Sequence, residues 1–165
     1  MACELRNGPG FGAVLVSDGG YFVPPFYSVD HSVGARGGNW TDDVMLVQYF
    51  LGRIYYDGLI CSTLSAPYPG QIKVDGICGP TTCRWIREFQ ANSDNGGLDN
   101  VSMKVDGIVS PVRAVTSQTF QYTMVQLNRW HGRFYPGVDI ANNDDMPPLL
   151  RASLTKVVET HGGGV

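Results

Sequence analysis

Charged residues are scarce in this chain, and neither sign of charge dominates. Only 16% of the 165 residues are Asp, Glu, Lys or Arg, and the formal net charge is −3. Nucleic-acid-binding proteins usually carry a basic excess, so the composition predicts no nucleic-acid partner. The hydrophobic content of 43% is typical of a globular chain rather than a disordered one.

Long apolar runs are also absent. No stretch approaches the roughly 20 apolar residues that a membrane-spanning helix needs, so no membrane span is predicted. Residues 1–7 carry neither the basic segment nor the apolar core of a secretory signal. We therefore expect a protein that is cytoplasmic, virion-associated or exported by a signal-independent route.

The residues that usually build a catalytic or metal centre are few and scattered. The three histidines lie far apart, and neither a His-Glu-x-x-His helix nor a Gly-x-Ser-x-Gly turn occurs. The acidic pairs at 42–43 and 144–145 stand at predicted helix starts, where capping accounts for them. The sequence thus predicts no enzyme, no metal site and no cofactor.

None of the four cysteines belongs to a paired Cys-x₂-Cys knuckle, and the spacing therefore argues against a zinc site. Cys78 and Cys83 are close enough in sequence to be neighbours across a turn. We expect all the cysteines to be reduced and partly buried, with a disulfide as the less favoured alternative. The four are Cys3, Cys61, Cys78 and Cys83.

The stretch that organises the chain is 74–90, which predicts a glycine turn followed by a helix. Gly76 and Gly79 tolerate a positive φ, and Pro80 suits the first helical position, where its missing N–H has no partner to lose. The carboxylate of Asp75 suits the positive end of the helix dipole. One face of the predicted helix carries Thr82, Trp85, Ile86 and Phe89.

A second copy of this turn follows. Residues 104–111 align with 73–80 at eight positions, of which six are identical. Ser110 replaces the second glycine and can cap a helix that Pro111 begins. We expect this third helix to run over about 111–131, and its two apolar stripes imply that it is covered on two sides.

These features resemble the peptidoglycan-binding-like domain, a small three-helix module. The family pattern is Asp-Gly, two residues, Gly, two residues, Thr, and then an apolar helix that ends in Phe-Gln. The sequence departs from the family at Cys78, where an aromatic residue is usual, and at Arg113, where the second copy usually has threonine. The second turn keeps Gly107 and Pro111. The first copy matches without insertion at Asp75, Gly76, Gly79, Thr82, Phe89 and Gln90.

The resemblance implies a shallow groove near the two turns that accepts a peptidoglycan glycan or stem peptide. Arginines on the second helix can pair bidentately with a stem-peptide carboxylate, although a solvated helix face is the plain alternative. Tyr68, between two prolines of a long loop, is a further candidate for sugar stacking, or else part of a passive insertion. The other implied contacts are Asp75, Ile77, Thr81, Arg84, Arg87 and Asp106.

The flanks of this domain complete a mainly α fold. We expect an extended N-terminal arm with a short β-hairpin over 1–31, the three-helix bundle over 32–131, and a C-terminal loop and extra helix over 132–165. The first helix should begin at Thr41. Its apolar face is predicted to contain Val44, Val47, Leu51 and Ile54.

The extra C-terminal helix is predicted from a proline pair and an apolar spacing. It should open at 147–148 and continue to about Thr160. Its predicted apolar face contains Leu150, Leu154, Val157 and Val158.

Two functions remain open at this point. The first is a non-catalytic module that binds peptidoglycan, which the turn motif favours. The second is a structural or interaction protein of a larger assembly, such as a phage particle or an injection machine. It would dock on other subunits through the N-terminal arm and the third helix. The expected absence of a secretory signal and of an attached enzyme favours this second hypothesis.

Overall fold

The computed structural model describes residues 2–6, 25–56, 72–94, 102–112, 121–155 and 157–159, and within them the chain is mainly helical. The helices are α1 (Thr41–Tyr56), α2 (Pro80–Asp94), α3 (Thr123–Phe134) and α4 (Pro148–Leu154), with a 3₁₀ turn at Ile140–Asn142. The strands are β1 (Cys3–Arg6), β2 (Phe26–Ser28), β3 (Val33–Gly34), β4 (Ile108–Val109) and β5 (Val157–Glu159). The predicted mainly α fold with a strand-bearing arm is confirmed.

Two small sheets connect distant parts of the chain. β1 pairs antiparallel with β2 and parallel with β5, so that the two ends of the described chain meet in one sheet. β3 and β4 form an antiparallel pair in which Gly34 lies opposite Ile108. The predicted hairpin turn at 13–23 and the long loop with Tyr68 lie outside the described residues.

Among the described residues, one hydrophobic core joins the end of the arm, the bundle and the C-terminal segment. The apolar face predicted for α1 is buried throughout, with no side chain more than 1% exposed. The predicted inner face of α2 is buried as well. The arm adds Phe26 and Tyr27 of β2, and the C-terminal segment adds Leu150 and Leu154. Within the described residues, no helix combines the length and apolar character that crossing a bilayer requires.

The third helix begins later than the sequence suggested. Pro111 and Val112 are not helical, and α3 opens only at Thr123. The backbone N–H of Val112 donates to Ser28 Oγ at 2.9 Å, and the Val112 side chain is buried. This contact fixes the chain against the arm, and the prediction that Pro111 leads the third helix was wrong.

The cover over α3 comes from the same chain. α1 packs against this helix and so does β2, whose Tyr27 exchanges hydrogen bonds with the Asn128 side chain on α3. Coverage on more than one side is thereby confirmed. The buried residues of α3 are Thr123, Met124, Val125, Gln126, Leu127, Arg129, Trp130 and His131.

The C-terminal helix is shorter than predicted. α4 ends at Leu154, and Val157 and Val158 lie in β5 rather than on a helix face. Consecutive β-branched residues fit a strand better than a helix. Pairing with the edge of β1 also gives this backbone hydrogen-bond partners, which accounts for the change of structure.

Candidate functional site

A glutamine in the middle of α1 holds the first Asp-Gly turn. Gln48 Oε1 accepts the backbone N–H groups of Asp75 at 3.1 Å and Gly76 at 2.9 Å. Its Nε2 lies within 3.1 Å of three acceptors, on Asp75, Ile77 and Thr82. Since Gln48 is buried and Gly76 has a φ of +74°, the turn has a fixed shape that a residue with a side chain adopts only with strain.

The second turn is held in the same way by Gln90 of α2. Gln90 Oε1 accepts the Gly107 N–H at 2.8 Å. Its Nε2 lies 3.0 Å from the Ile108 carbonyl oxygen, 2.9 Å from Thr123 Oγ1 and 3.3 Å from Asp106 Oδ1. Gly107 has a φ of +75°, nearly the value at the first turn.

The two turns are therefore structural repeats. Each combines a glutamine on one helix, an Asp-Gly pair, and a threonine at the start of the next helix. The repeat in the sequence located both Asp-Gly pairs, but it assigned the second threonine position to Arg113. The partner is Thr123, and the two glutamines are the signal in the sequence that could have led to it.

Both turn aspartates have lowered pKa values. At Asp75 the Ile77 N–H, at 2.9 Å, is the main cause that lowers the carboxyl pKa, against a smaller opposing effect of burial. At Asp106 burial is the largest single influence and raises the pKa. The Ile108 N–H, the Lys104 ammonium at 3.2 Å and the glutamine amide together outweigh it. Both turns thus present anionic acceptors at neutral pH.

The strand β3 lies between the two turns. A Cβ atom at Gly34 would come within 2.0 Å of the Gly107 carbonyl oxygen, so that the second turn is in direct backbone contact with the strand. On the side of the first turn, the Cys78 thiol interacts with the Gly34 backbone. Both turns consequently contact the same strand, whose two residues are buried.

An exposed ridge of α2 also connects the turns. Thr81, Arg84 and Arg87 repeat at every third position and are all exposed. Thr81 follows the first turn directly, whereas the Arg87 side chain lies over Gly107, where an added Cβ would be 2.8 Å from Arg87 Nε. The structure therefore brings together six of the predicted contacts: Asp75, Ile77, Thr81, Arg84, Arg87 and Asp106. Tyr68, the seventh, lies outside the described residues.

Sequence reasoning missed Trp40, which precedes α1. Its side chain is 53% exposed, and its ring lies flat on that of His31, with centroids 4.3 Å apart and planes inclined by 2°. His31 Nδ1 is in turn 3.3 Å from Asp43 Oδ2, and the fully buried Asp43 carboxylate accepts the Asp30 and His31 backbone N–H groups. The His31 ring thus covers one face of the indole, and the opposite face is exposed.

The backbone before Trp40 has an unusual conformation. Asn39 has a φ of +52°, and its side chain exchanges two hydrogen bonds with Gly34 at 2.8 and 2.9 Å. Such a conformation costs free energy in a residue other than glycine and is often found near binding sites. Thr41, the next residue, packs against Gly76, so Trp40 adjoins the first turn. Its only signal in the sequence is its place before the apolar spacing of α1.

Beside the second turn lies an open groove of about 490 Å³. Tyr122, at its edge, is 40% exposed. The other polar residues that line the groove include Lys104, Asp106, Ser110, Gln121 and Thr123. Hydroxyl, amide, ammonium and carboxylate groups are therefore available here to a polar ligand.

The described residues contain no cluster of three or more His, Cys, Asp or Glu side chains that could hold a metal ion. Comparisons with protein-family profiles, with curated proteins and with solved structures found no match for this chain.

Proposed function

We propose that this chain is a non-catalytic module that binds peptidoglycan on the surface formed by Trp40, the first Asp-Gly turn and the α2 ridge. The observation that carries this proposal is the open, rigidly supported indole face of Trp40 beside the turn. It adjoins a surface on which the residues implied by the resemblance to the peptidoglycan-binding-like domain lie together.

The Trp40 face suits the glycan strand. A pyranose ring carries C–H groups on its faces and hydroxyl groups at its rim, so it can stack on a flat aromatic ring and hydrogen-bond at its edges. The indole already stacks on His31, and binding would therefore cost little side-chain entropy. Ile77, 68% exposed, offers an apolar contact for an acetamido methyl group, and the Asp75 carboxylate can accept hydrogen bonds from sugar hydroxyl groups.

The α2 ridge suits the stem peptide. Arg84 and Arg87 are exposed on the same face of α2, and guanidinium groups pair with carboxylates in a bidentate geometry. The ridge leads from the first turn to the groove beside the second turn. A ligand that combines a sugar chain with a carboxylate-bearing peptide therefore matches the order of groups along this surface.

The alternative, a structural component of a larger assembly, relied on the N-terminal arm and the third helix as docking surfaces. In the described residues, β2 and α3 pack into the core of their own chain. For this reason we favour the binding module.

Retention on purified sacculi tests the proposal. We expect the wild-type chain to sediment with sacculi and Trp40→Ala to bind at least tenfold more weakly, a loss of about 1.4 kcal/mol. Arg84→Ala combined with Arg87→Ala should also weaken binding. Val138→Ala is the matched control, because Val138 is similarly exposed. It adjoins Tyr135, which stacks on Arg53 near the end of α1, whereas Trp40 precedes the start of that helix.

Equal retention of the wild-type chain and the variant that combines all three substitutions would remove the proposal. Release of soluble fragments from the sacculi would contradict the non-catalytic part of it. Sedimentation of the free chain addresses the alternative, since a binding module should be a monomer and an assembly component should form oligomers.

A further inference from the structure

Two thiols face each other where the first turn enters α2. Cys78 Sγ and Cys83 Sγ are 3.7 Å apart, and both side chains are free and partly buried. Cys78 belongs to the Asp-Gly turn, whereas Cys83 is the fourth residue of α2, and its backbone N–H closes the first helical turn by donating to the Gly79 carbonyl at 3.1 Å. The backbone between the two cysteines is therefore held by the start of the helix.

At 3.7 Å the two sulfur atoms are in van der Waals contact but are not bonded. A disulfide requires about 2.04 Å, so side-chain rotation and a small adjustment of the turn have to bring the atoms about 1.7 Å closer. The connecting segment has room for this movement, since nothing lies within 4 Å of where a Cβ atom on Gly79 would stand. The helix after it can stay in place.

We propose that Cys78 and Cys83 are a redox-responsive dithiol that reacts with low-molecular-weight disulfides such as oxidised glutathione and closes an intramolecular disulfide at the start of α2. The proposal does not depend on the proposed function. It concerns a covalent modification that ties the first Asp-Gly turn to the helix that follows it.

The reaction proceeds by two thiol–disulfide exchanges. One protein thiolate attacks a sulfur of oxidised glutathione, which forms a mixed disulfide and releases one glutathione thiolate. The other protein thiolate then attacks the protein sulfur of the mixed disulfide, and a second glutathione leaves. Two protein thiols are oxidised, one glutathione disulfide is reduced, and the two thiol protons end on the released glutathiones.

The environment of Cys78 limits the rate of the oxidation. Burial, followed by the nearby Cys83 sulfur, raises the pKa of Cys78 to about 12. In either order of the exchanges, Cys78 has to act once as a thiolate, which is scarce at neutral pH. The oxidation should consequently be slow at pH 7 and become faster as the pH rises.

The experiment uses the full chain, incubated with oxidised glutathione at pH 8 and then alkylated. Trypsin can cut after Lys73 and Arg84, so both cysteines fall on the peptide 74–84. We expect this peptide to be unalkylated and lighter by two hydrogen atoms than the dithiol. With Cys78→Ser, the same peptide should instead carry one glutathione on Cys83.

The same reaction in the chain unfolded with guanidinium shows whether the fold matters. The ratio of intramolecular disulfide to mixed disulfide should be at least about tenfold higher in the folded chain, because the folded structure holds the two sulfurs together. Equal ratios would overturn the proposal. So would recovery of the peptide as an alkylated dithiol, with two glutathiones, or crosslinked to Cys3 or Cys61.

Discussion

Gln48 and Gln90 occupy equivalent positions in two successive structural repeats, each with its side-chain amide bound to an Asp-Gly turn. Each glutamine accepts the backbone N–H of the turn glycine and donates to the carbonyl of the isoleucine that follows this glycine, Ile77 or Ile108, at 3.0–3.1 Å. Both are at most 1% exposed. Each helix therefore carries the side chain that fixes the connection to the next helix.

Removal of either glutamine side chain should be costly. In Gln90→Ala the Gly107 N–H, the Ile108 carbonyl and Thr123 lose a buried partner, which should lower the free energy of unfolding by roughly 2–4 kcal/mol. Urea unfolding measures this loss. Gln48→Ala should lose a similar amount if the repeats are energetically equivalent, whereas the exposed Gln121→Ala should change stability by less than about 0.5 kcal/mol. A small effect of Gln90→Ala would show that water replaces the amide.

Three glycines should respond to alanine in a graded order. In Gly76→Ala the new methyl group would lie 2.5 Å from Thr41 Cγ2 and 3.0 Å from its carbonyl oxygen, at a positive φ, so we expect a loss above about 3 kcal/mol. Gly107→Ala meets the flexible Arg87 side chain and should lose about 1–2 kcal/mol. Gly79→Ala meets nothing and should be neutral or slightly stabilising. Thermal unfolding gives the order, and a different order would contradict this account of the turns.

The lowered carboxyl pKa values predict a loss of stability in acid. A carboxyl group with a pKa below its ordinary value of about 3.9 favours the folded state above that value, and the advantage disappears as the pH falls through the folded-state pKa. Asp106→Asn should therefore lower the urea midpoint at pH 7 and have little effect near pH 2. Asp75→Asn should behave in the same way. The exposed Asp144→Asn is the control, and equal effects of Asp106→Asn at both pH values would refute the assignment.

The parts of the fold that were predictable are those fixed by local spacing. The apolar repeats of α1 and α2 placed their buried faces correctly, since the residues of a helix face are set by its period. The start of α3 was not predictable in this way. Pro111 satisfies the local rule for a helix start, but the bond from Val112 to Ser28 joins residues far apart in the sequence and overrides that rule. β5 likewise depends on pairing with β1, which no local pattern reveals.

In the candidate site, too, the features set by local sequence were predictable and those set by contacts between segments were not. The Asp-Gly turns were located by a repeat in the sequence, whereas the contacts on the α2 ridge were implied by the family resemblance and stay a prediction. Trp40 was missed because an indole is more often buried, and its exposure results from contacts with His31 and from the positive φ of Asn39. These contacts depend on how the segment before α1 packs against the start of that helix.

The exposure of Trp40 can be measured directly by fluorescence. The chain has three tryptophans, and Trp85 and Trp130 are 1% and 2% exposed against 53% for Trp40. Iodide should therefore quench only the fraction of the emission that arises from Trp40, and Trp40→Phe should abolish that fraction.

If Trp40 stacks on the glycan, soluble peptidoglycan fragments should protect the wild-type emission from iodide. The Arg84→Ala and Arg87→Ala variant provides the matched comparison, because its indole is unchanged while the two arginines proposed to bind the stem peptide are removed. Fragments that lack the stem peptide should protect this variant and the wild-type chain equally. Protection that requires the stem peptide would place the ligand on the α2 ridge and leave the Trp40 face outside the site.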